Sequence, residues 1–154
     1  MKKIIVFIVL GIVLHNVSIA QDEALRLKQY NIENGIALKG YDPVSYYSGK
    51  PVKGNRTYMF TYKSITYLFA SPQNLEKFKS NPGGYEPMYG GWCAYAMGKS
   101  GEKVEVDPET YKIIQGKVYL FYNFYFNNTL NDWNKNEAEL NKKAMLNWNQ
   151  YWGK

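Results

Sequence analysis

Cys93 is the sole cysteine of the 154-residue chain, with Met88 five residues before it and Met97 four residues after it. A thiolate with one or two thioethers suits a soft monovalent ion, and Met59 could join from elsewhere in the fold. If residues 92–98 are helical, Cys93 and Met97 share one face, because side chains at i and i+4 stack on a helix. The same residues equally suit packing beside Trp92 and Tyr95, since sulfur side chains fill irregular apolar gaps. Nucleophilic chemistry at Cys93 would need a nearby base, and the only histidine is His15. Asp42, Glu86, Asp107 and Glu109 could pair as carboxylates, but Asp42 and Asp107 each precede proline, which favours a turn or a helix cap. No catalytic constellation is nominated.

The remaining side chains with binding potential are aromatic: fifteen Tyr, seven Phe and four Trp. Tyr41, Asp42, Tyr46, Tyr89, Trp92 and Tyr95 are the candidates for a surface that takes a ring-bearing ligand or a partner; an aromatic core is the alternative. Trp133, Trp148 and Trp152 recur at helical spacing and read as packing anchors.

Compartment bears on all of this. Lys2 and Lys3 precede the apolar run Ile4 to Leu14, and Ser18 and Ala20 are the small residues a signal peptidase requires. Residues 1–20 therefore read as a signal peptide, with a mature start at Gln21 and a periplasmic or secreted location. An uncleaved anchor is the other reading of the same run. Cleavage would take Lys2 and Lys3 from nineteen basic residues, leaving seventeen against thirteen acids, a net +4, and would take His15 too. A lone thiol excludes an internal disulfide, and a mature chain without histidine lacks the side chain that titrates near neutrality. The lysines are scattered and read as solvated, and export from the cytoplasm makes nucleic acid an unexpected partner. No stable membrane insertion is expected after cleavage; the partner class is an envelope protein or a small ligand.

The elements that must position these residues follow from local signals. Residues 22–30 suit a short amphipathic helix, so 21–36 read as an N-terminal helical extension. Pro43 at a first helical position predicts a short helix through Tyr46 and Tyr47 that ends at Gly49. Thr57–Tyr62 and Ile65–Phe69, separated by Lys63-Ser64, predict a hairpin whose turn type stays open for want of Asn-Gly. Ser71-Pro72 supplies an N-cap and proline at N1, which predicts a helix from Pro72 to about Ser80. Trp92–Met97 reads as buried and Gly98–Gly101 as an exposed loop. A second hairpin is expected over Tyr111–Tyr122 around Gln115-Gly116, then one or two amphipathic C-terminal helices. No internal repeat is evident. Mixed hairpins and helices without strand–helix alternation predict one α+β domain: small antiparallel hairpins packed with short helices and a C-terminal amphipathic helical segment.

Gly40-Tyr41-Asp42-Pro43-Val44-Ser45-Tyr46-Tyr47, then Gly49-Lys50-Pro51-Val52-Lys53-Gly54, then Tyr67-Leu68-Phe69-Ala70-Ser71 through Phe78, Pro82 and Tyr85, resemble the YHS domain. Tyr89-Gly90-Gly91-Trp92-Cys93-Ala94-Tyr95-Ala96, Asp107-Pro108 and Gly116-Lys117-Val118-Tyr119-Leu120 extend the resemblance to the longer exported YHS-domain proteins of bacteria. The resemblance implies a YHS-type domain over 37–154 and a non-enzymatic binding role. It also implies an association with heavy-metal and especially copper handling, with Cu(I) the ion to test. In that family, cysteines follow Asp-Pro-Val and flank the Phe-x-Ser segment. Here Ser45, Ala70 and Asn74 stand in those places, so the inherited thiolate set is missing and Cys93, Met97 and Met88 are the only soft donors near one another in sequence.

Overall fold

The computed structural model describes residues 21–153; the signal-peptide reading falls outside them. Helix α1 covers residues 21–29 of the described chain. Then come strands β1 (Ile32–Glu33) and β2 (Ile36–Ala37), two 3-10 turns (Leu38–Gly40 and Ser45–Ser48), strands β3 (Asn55–Tyr62) and β4 (Ile65–Phe69), and helices α2 (Pro72–Ser80) and α3 (Pro82–Tyr85). A 3-10 turn at Met88–Gly91 leads into helix α4 (Ala94–Lys99), followed by strands β5 (Asp107–Ile114), β6 (Lys117–Phe121), β7 (Asn123–Phe124) and β8 (Asn127–Asn128). Helices α5 (Thr129–Lys135) and α6 (Glu137–Gln150) close the described chain. Among the described residues the strands form four two-stranded antiparallel hairpins, so the α+β reading holds. Among the described residues, no helix is long and apolar enough to cross a membrane.

Local signals account for most elements. Ser71 Oγ accepts the Asn74 amide at 3.1 Å with Pro72 behind it, so α2 starts where the cap and the fixed φ of proline place it. The turn after Tyr47 ends at Gly49, whose φ is 83°. Lys63 and Ser64 both adopt left-handed φ (44° and 67°), which matches the twist of the flanking strands without Asn-Gly. Helix α1 is tied to the rest of the fold: Arg26 meets Glu86 at 2.5 Å and donates to the Lys63 carbonyl, and Gln29 donates to the Tyr151 carbonyl at 3.0 Å.

Two apolar clusters make the core, and β6 divides them. Its side chains alternate, so Val118 and Leu120 join Tyr46, Ile65, Tyr67 and Phe69 on one side, while Tyr119 and Phe121 join Met97, Trp133 and Leu140 on the other. Burial on both faces explains the unbroken apolar run Val118–Phe121. Phe78 of α2 is the hub of the first cluster, with ring centroids of Tyr67 and Phe69 at 4.9 and 5.1 Å.

Two expectations need correction. Gly98 and Lys99 are not loop but the end of α4, and Gly98 is buried so close to α6 that a β-carbon there would lie 2.5 Å from the Leu140 carbonyl oxygen. Absence of a side chain is what lets those two helices touch. The chain also does contain an internal repeat. Adding 52 to every residue of the β3–β4 ladder, from Asn55↔Phe69 with its bulge to Tyr62↔Ile65, gives the β5–β6 ladder from Asp107↔Phe121 to Ile114↔Lys117. Left-handed turns precede both: Leu38-Lys39-Gly40 (φ 56°, 50°, 81°) and Tyr89-Gly90-Gly91 (φ 53°, 60°, 88°).

Candidate functional site

Cys93 is the N-cap of α4 and is fully buried. Trp92 is extended and Cys93 stands just outside the helix, which begins at Ala94. Two neighbours hold the sulfur. The Tyr122 amide donates to Sγ at 3.3 Å, and Thr129 Oγ1 lies 3.5 Å away. Since the Thr129 hydroxyl donates to the Tyr122 carbonyl at 3.0 Å, the thiol is left to donate to Thr129. Helix α4 starts from this point, with the Met97 amide donating to the Cys93 carbonyl at 3.0 Å.

The repeat explains why this position is built so. Asp42 follows the first left-handed turn as Cys93 follows the second, and it too is fully buried. Its Oδ2 accepts the Ala70 amide at 2.9 Å, where the chain leaves β4, and the Asn74 side-chain amide at 2.7 Å; its Oδ1 accepts the Val44 amide at 2.8 Å. Tyr122 leaves β6 as Ala70 leaves β4, and Thr129 opens α5 much as Asn74 lies in the first turn of α2. One buried acceptor in each half thus ties turn, strand end and following helix together, a carboxylate in the first and a sulfur in the second.

A cleft of about 280 Å³ opens over Cys93 and Thr129, walled by Tyr95, Val104 and Tyr122 and rimmed by Lys99 and Glu102. The sulfur ligand set is not gathered around it. Met97 is buried in the second core cluster, Met88 packs partly exposed against that same cluster, Cys93 belongs to the first, and Met59 is 49% exposed on β3. Among the described residues, no three His, Cys, Asp or Glu side chains come together as a metal site.

The aromatic candidates part ways. Asp42, Tyr46 and Tyr89 are buried and form no surface. Tyr41 donates to Glu109 at 2.8 Å beneath the Lys53 ammonium, 4.5 Å from the ring centroid. Trp92 donates to the Gln29 carbonyl at 2.7 Å. Tyr95 alone of the six lines the cleft. The four carboxylates are each engaged separately: Glu86 by Arg26 and Tyr67, Asp107 by the Glu109 amide and the Thr110 hydroxyl, Glu109 by Tyr41, and Asp42 by Val44, Ala70 and Asn74. Burial, reinforced by the Glu86 charge, pushes Tyr30 up to about 12 and Tyr67 well above the usual tyrosine range. Burial does the same to Tyr46 and Tyr89.

Thr129, Tyr122, Lys99, Glu102 and Val104 are the site residues that sequence reasoning missed. A signal was present: Tyr67-Leu68-Phe69 recurs as Tyr119-Leu120-Phe121, and Gly40-Tyr41-Asp42 as Gly91-Trp92-Cys93. Aligning them places Cys93 opposite Asp42 and Tyr122 opposite Ala70. No family model, no curated protein and no solved structure matches the chain.

Proposed function

We propose that this chain is an exported, non-enzymatic binding protein of the YHS type, and that its ligand site is the cleft over Cys93. The make-up of that cleft carries the reading: aromatic walls at Tyr95 and Tyr122, one cation and one carboxylate at the rim, and a floor closed by Cys93 and Thr129. Apolar walls with a few convergent polar groups suit a small amphipathic molecule. Cys93 then serves as the structural tie that holds the floor. The test is a nuclear magnetic resonance screen of small amphipathic fragments against the isotope-labelled chain from Gln21. Binders are expected to shift the amides of Tyr95, Lys99, Val104 and Tyr122; binders that map elsewhere would retire the cleft.

A soft metal ion is the second reading, favoured by one observation: the only thiol lies at the cleft floor. Met97 and Met88 pack into the other cluster, so such an ion would have Cys93 as its sole soft protein ligand at this place. Native mass spectrometry with Cu(I) under reducing conditions separates the two readings. One ion bound by the native chain and lost in Cys93→Ser would make metal handling the function, and no ion in either would end that reading.

A further inference from the structure

All four hairpins turn on two residues, and in each both residues are left-handed. Three of those turns use small or polar residues: Asn34-Gly35, Lys63-Ser64 and Gln115-Gly116. The fourth, between β7 and β8, uses Tyr125 (φ 52°) and Phe126 (φ 64°). Glycine or asparagine adopts that conformation at least cost, and a bulky aromatic residue is a rare choice. The rings gain nothing from the fold in return, because Tyr125 is 92% and Phe126 109% exposed. Strain held together with full exposure of two large aromatic side chains points to a role outside the molecule.

The surroundings indicate what meets the tip. Phe124 packs edge-on against Tyr122 at 5.1 Å and lies 5.8 Å from the Lys39 ammonium. Lys39 stands on the wall of a second cleft, of about 340 Å³, that it shares with Lys53, Arg56 and Glu33. Lys39 also meets Glu105 at 3.0 Å, and Lys53 donates to the Lys39 carbonyl at 2.7 Å. Three cations stand against Glu33 in the cleft and Glu105 beside Lys39, on a chain that is net +4 from Gln21 onward, so the side next to the aromatic tip is electropositive. Aromatic rings favour the boundary between lipid headgroups and acyl chains, and cations beside them favour anionic headgroups.

We propose that the β7–β8 tip is a reversible membrane-interface anchor: Tyr125 and Phe126 enter the surface of an anionic phospholipid bilayer while Lys39, Lys53 and Arg56 meet its phosphates. The anchor lies at the outer end of the same β6–α5 connection whose inner end, Tyr122 and Thr129, builds the Cys93 cleft. It does not depend on what that cleft binds.

Co-sedimentation with vesicles tests it, using the chain from Gln21 so that the apolar run Ile4–Leu14 does not itself bind lipid. The double substitution Tyr125→Asn and Phe126→Gly replaces the tip with the residues a left-handed turn prefers, so this variant folds at least as stably. Its partition into phosphatidylglycerol–phosphatidylethanolamine vesicles is expected to fall about tenfold or more, the loss expected when two aromatic side chains no longer leave water. Lys39→Gln with Arg56→Gln is expected to reduce binding to those vesicles and to leave the weaker binding to neutral phosphatidylcholine vesicles unchanged. The proposal is overturned if the native chain does not sediment with anionic vesicles, or if the turn variant sediments as well as the native chain. It is overturned too if that variant is less stable, which would make the tip structural. Concentration-dependent dimers of the native chain, abolished in the variant and unaccompanied by vesicle binding, would assign the tip to self-association instead.

Discussion

Asp42→Asn is the sharpest test of the tie that holds each half of the molecule. The native carboxylate is fully buried and accepts three donors at 2.7 to 2.9 Å, from Val44, Ala70 and Asn74. An asparagine of the same shape keeps one oxygen. In its better orientation that oxygen still faces Ala70 and Asn74, and the new NH2 group faces the Val44 amide, donor against donor. One charge-assisted hydrogen bond is lost, at about 1.5–3 kcal/mol, and the other two weaken with the charge gone. A total of about 2–4 kcal/mol is a large share of the roughly 5–15 kcal/mol that stabilises a typical domain. Urea unfolding measures it, with the four tryptophans reporting from Trp92 onward and circular dichroism from the whole chain. Because the two clusters share β6, both probes should move together with an unchanged slope. Cys93→Ser, which disturbs only contacts of 3.3 and 3.5 Å, should cost less, about 1 kcal/mol. A loss below about 0.5 kcal/mol in Asp42→Asn, against the full value of one buried charge-assisted bond, would refute the tie.

Tyr46→Phe should leave stability unchanged or raise it by about 1 kcal/mol, as the Tyr46 hydroxyl is buried without a partner among the described residues; a marked loss in thermal unfolding would contradict this. Gly98→Ala should destabilise by about 1–3 kcal/mol, because its β-carbon would sit 2.5 Å from the Leu140 carbonyl and α6 would have to move away. Melting of that variant at the native temperature would show that α4 and α6 are not in close contact. Stability should fall as pH rises: the unfolded chain loses its tyrosine protons near pH 10, while folded Tyr30 keeps its proton to about 12, so the folded state binds more protons across that window and loses ground through it. An alkaline unfolding transition that coincides with tyrosinate absorbance checks this. With no histidine in residues 21–153, unfolding free energy should be flat between about pH 6 and 8.

Much of the architecture was legible in short stretches of residues. Ser71-Pro72 located α2, since the cap bond reaches only to Asn74, and the paired aromatic runs around Lys63-Ser64 and Gln115-Gly116 located both long hairpins. In each case the interacting atoms lie within a few positions of one another, so the signal is local. The outcome at Gly98 was not legible, because glycine followed by Lys-Ser-Gly reads as loop until Leu140, 42 positions on, is known to press against it. The repeat was legible but overlooked, as only a few residues of each half still agree in type.

Charge, cysteine and histidine counts, helix starts and hairpin turns were determined by the sequence itself, because each depends on composition or on neighbours along the chain. Which aromatic residues are core and which are surface was decided by tertiary structure. Tyr46 and Tyr89 are as polar as Tyr125, yet the first two are buried against Tyr111 and Tyr119 while the third stands in solvent. The fate of Cys93 was decided in the same way, by an amide 29 positions away and a hydroxyl 36 positions away. Burial and hydrogen bonding are properties of the packed arrangement, and only the closing of β6 between two clusters brings those partners together.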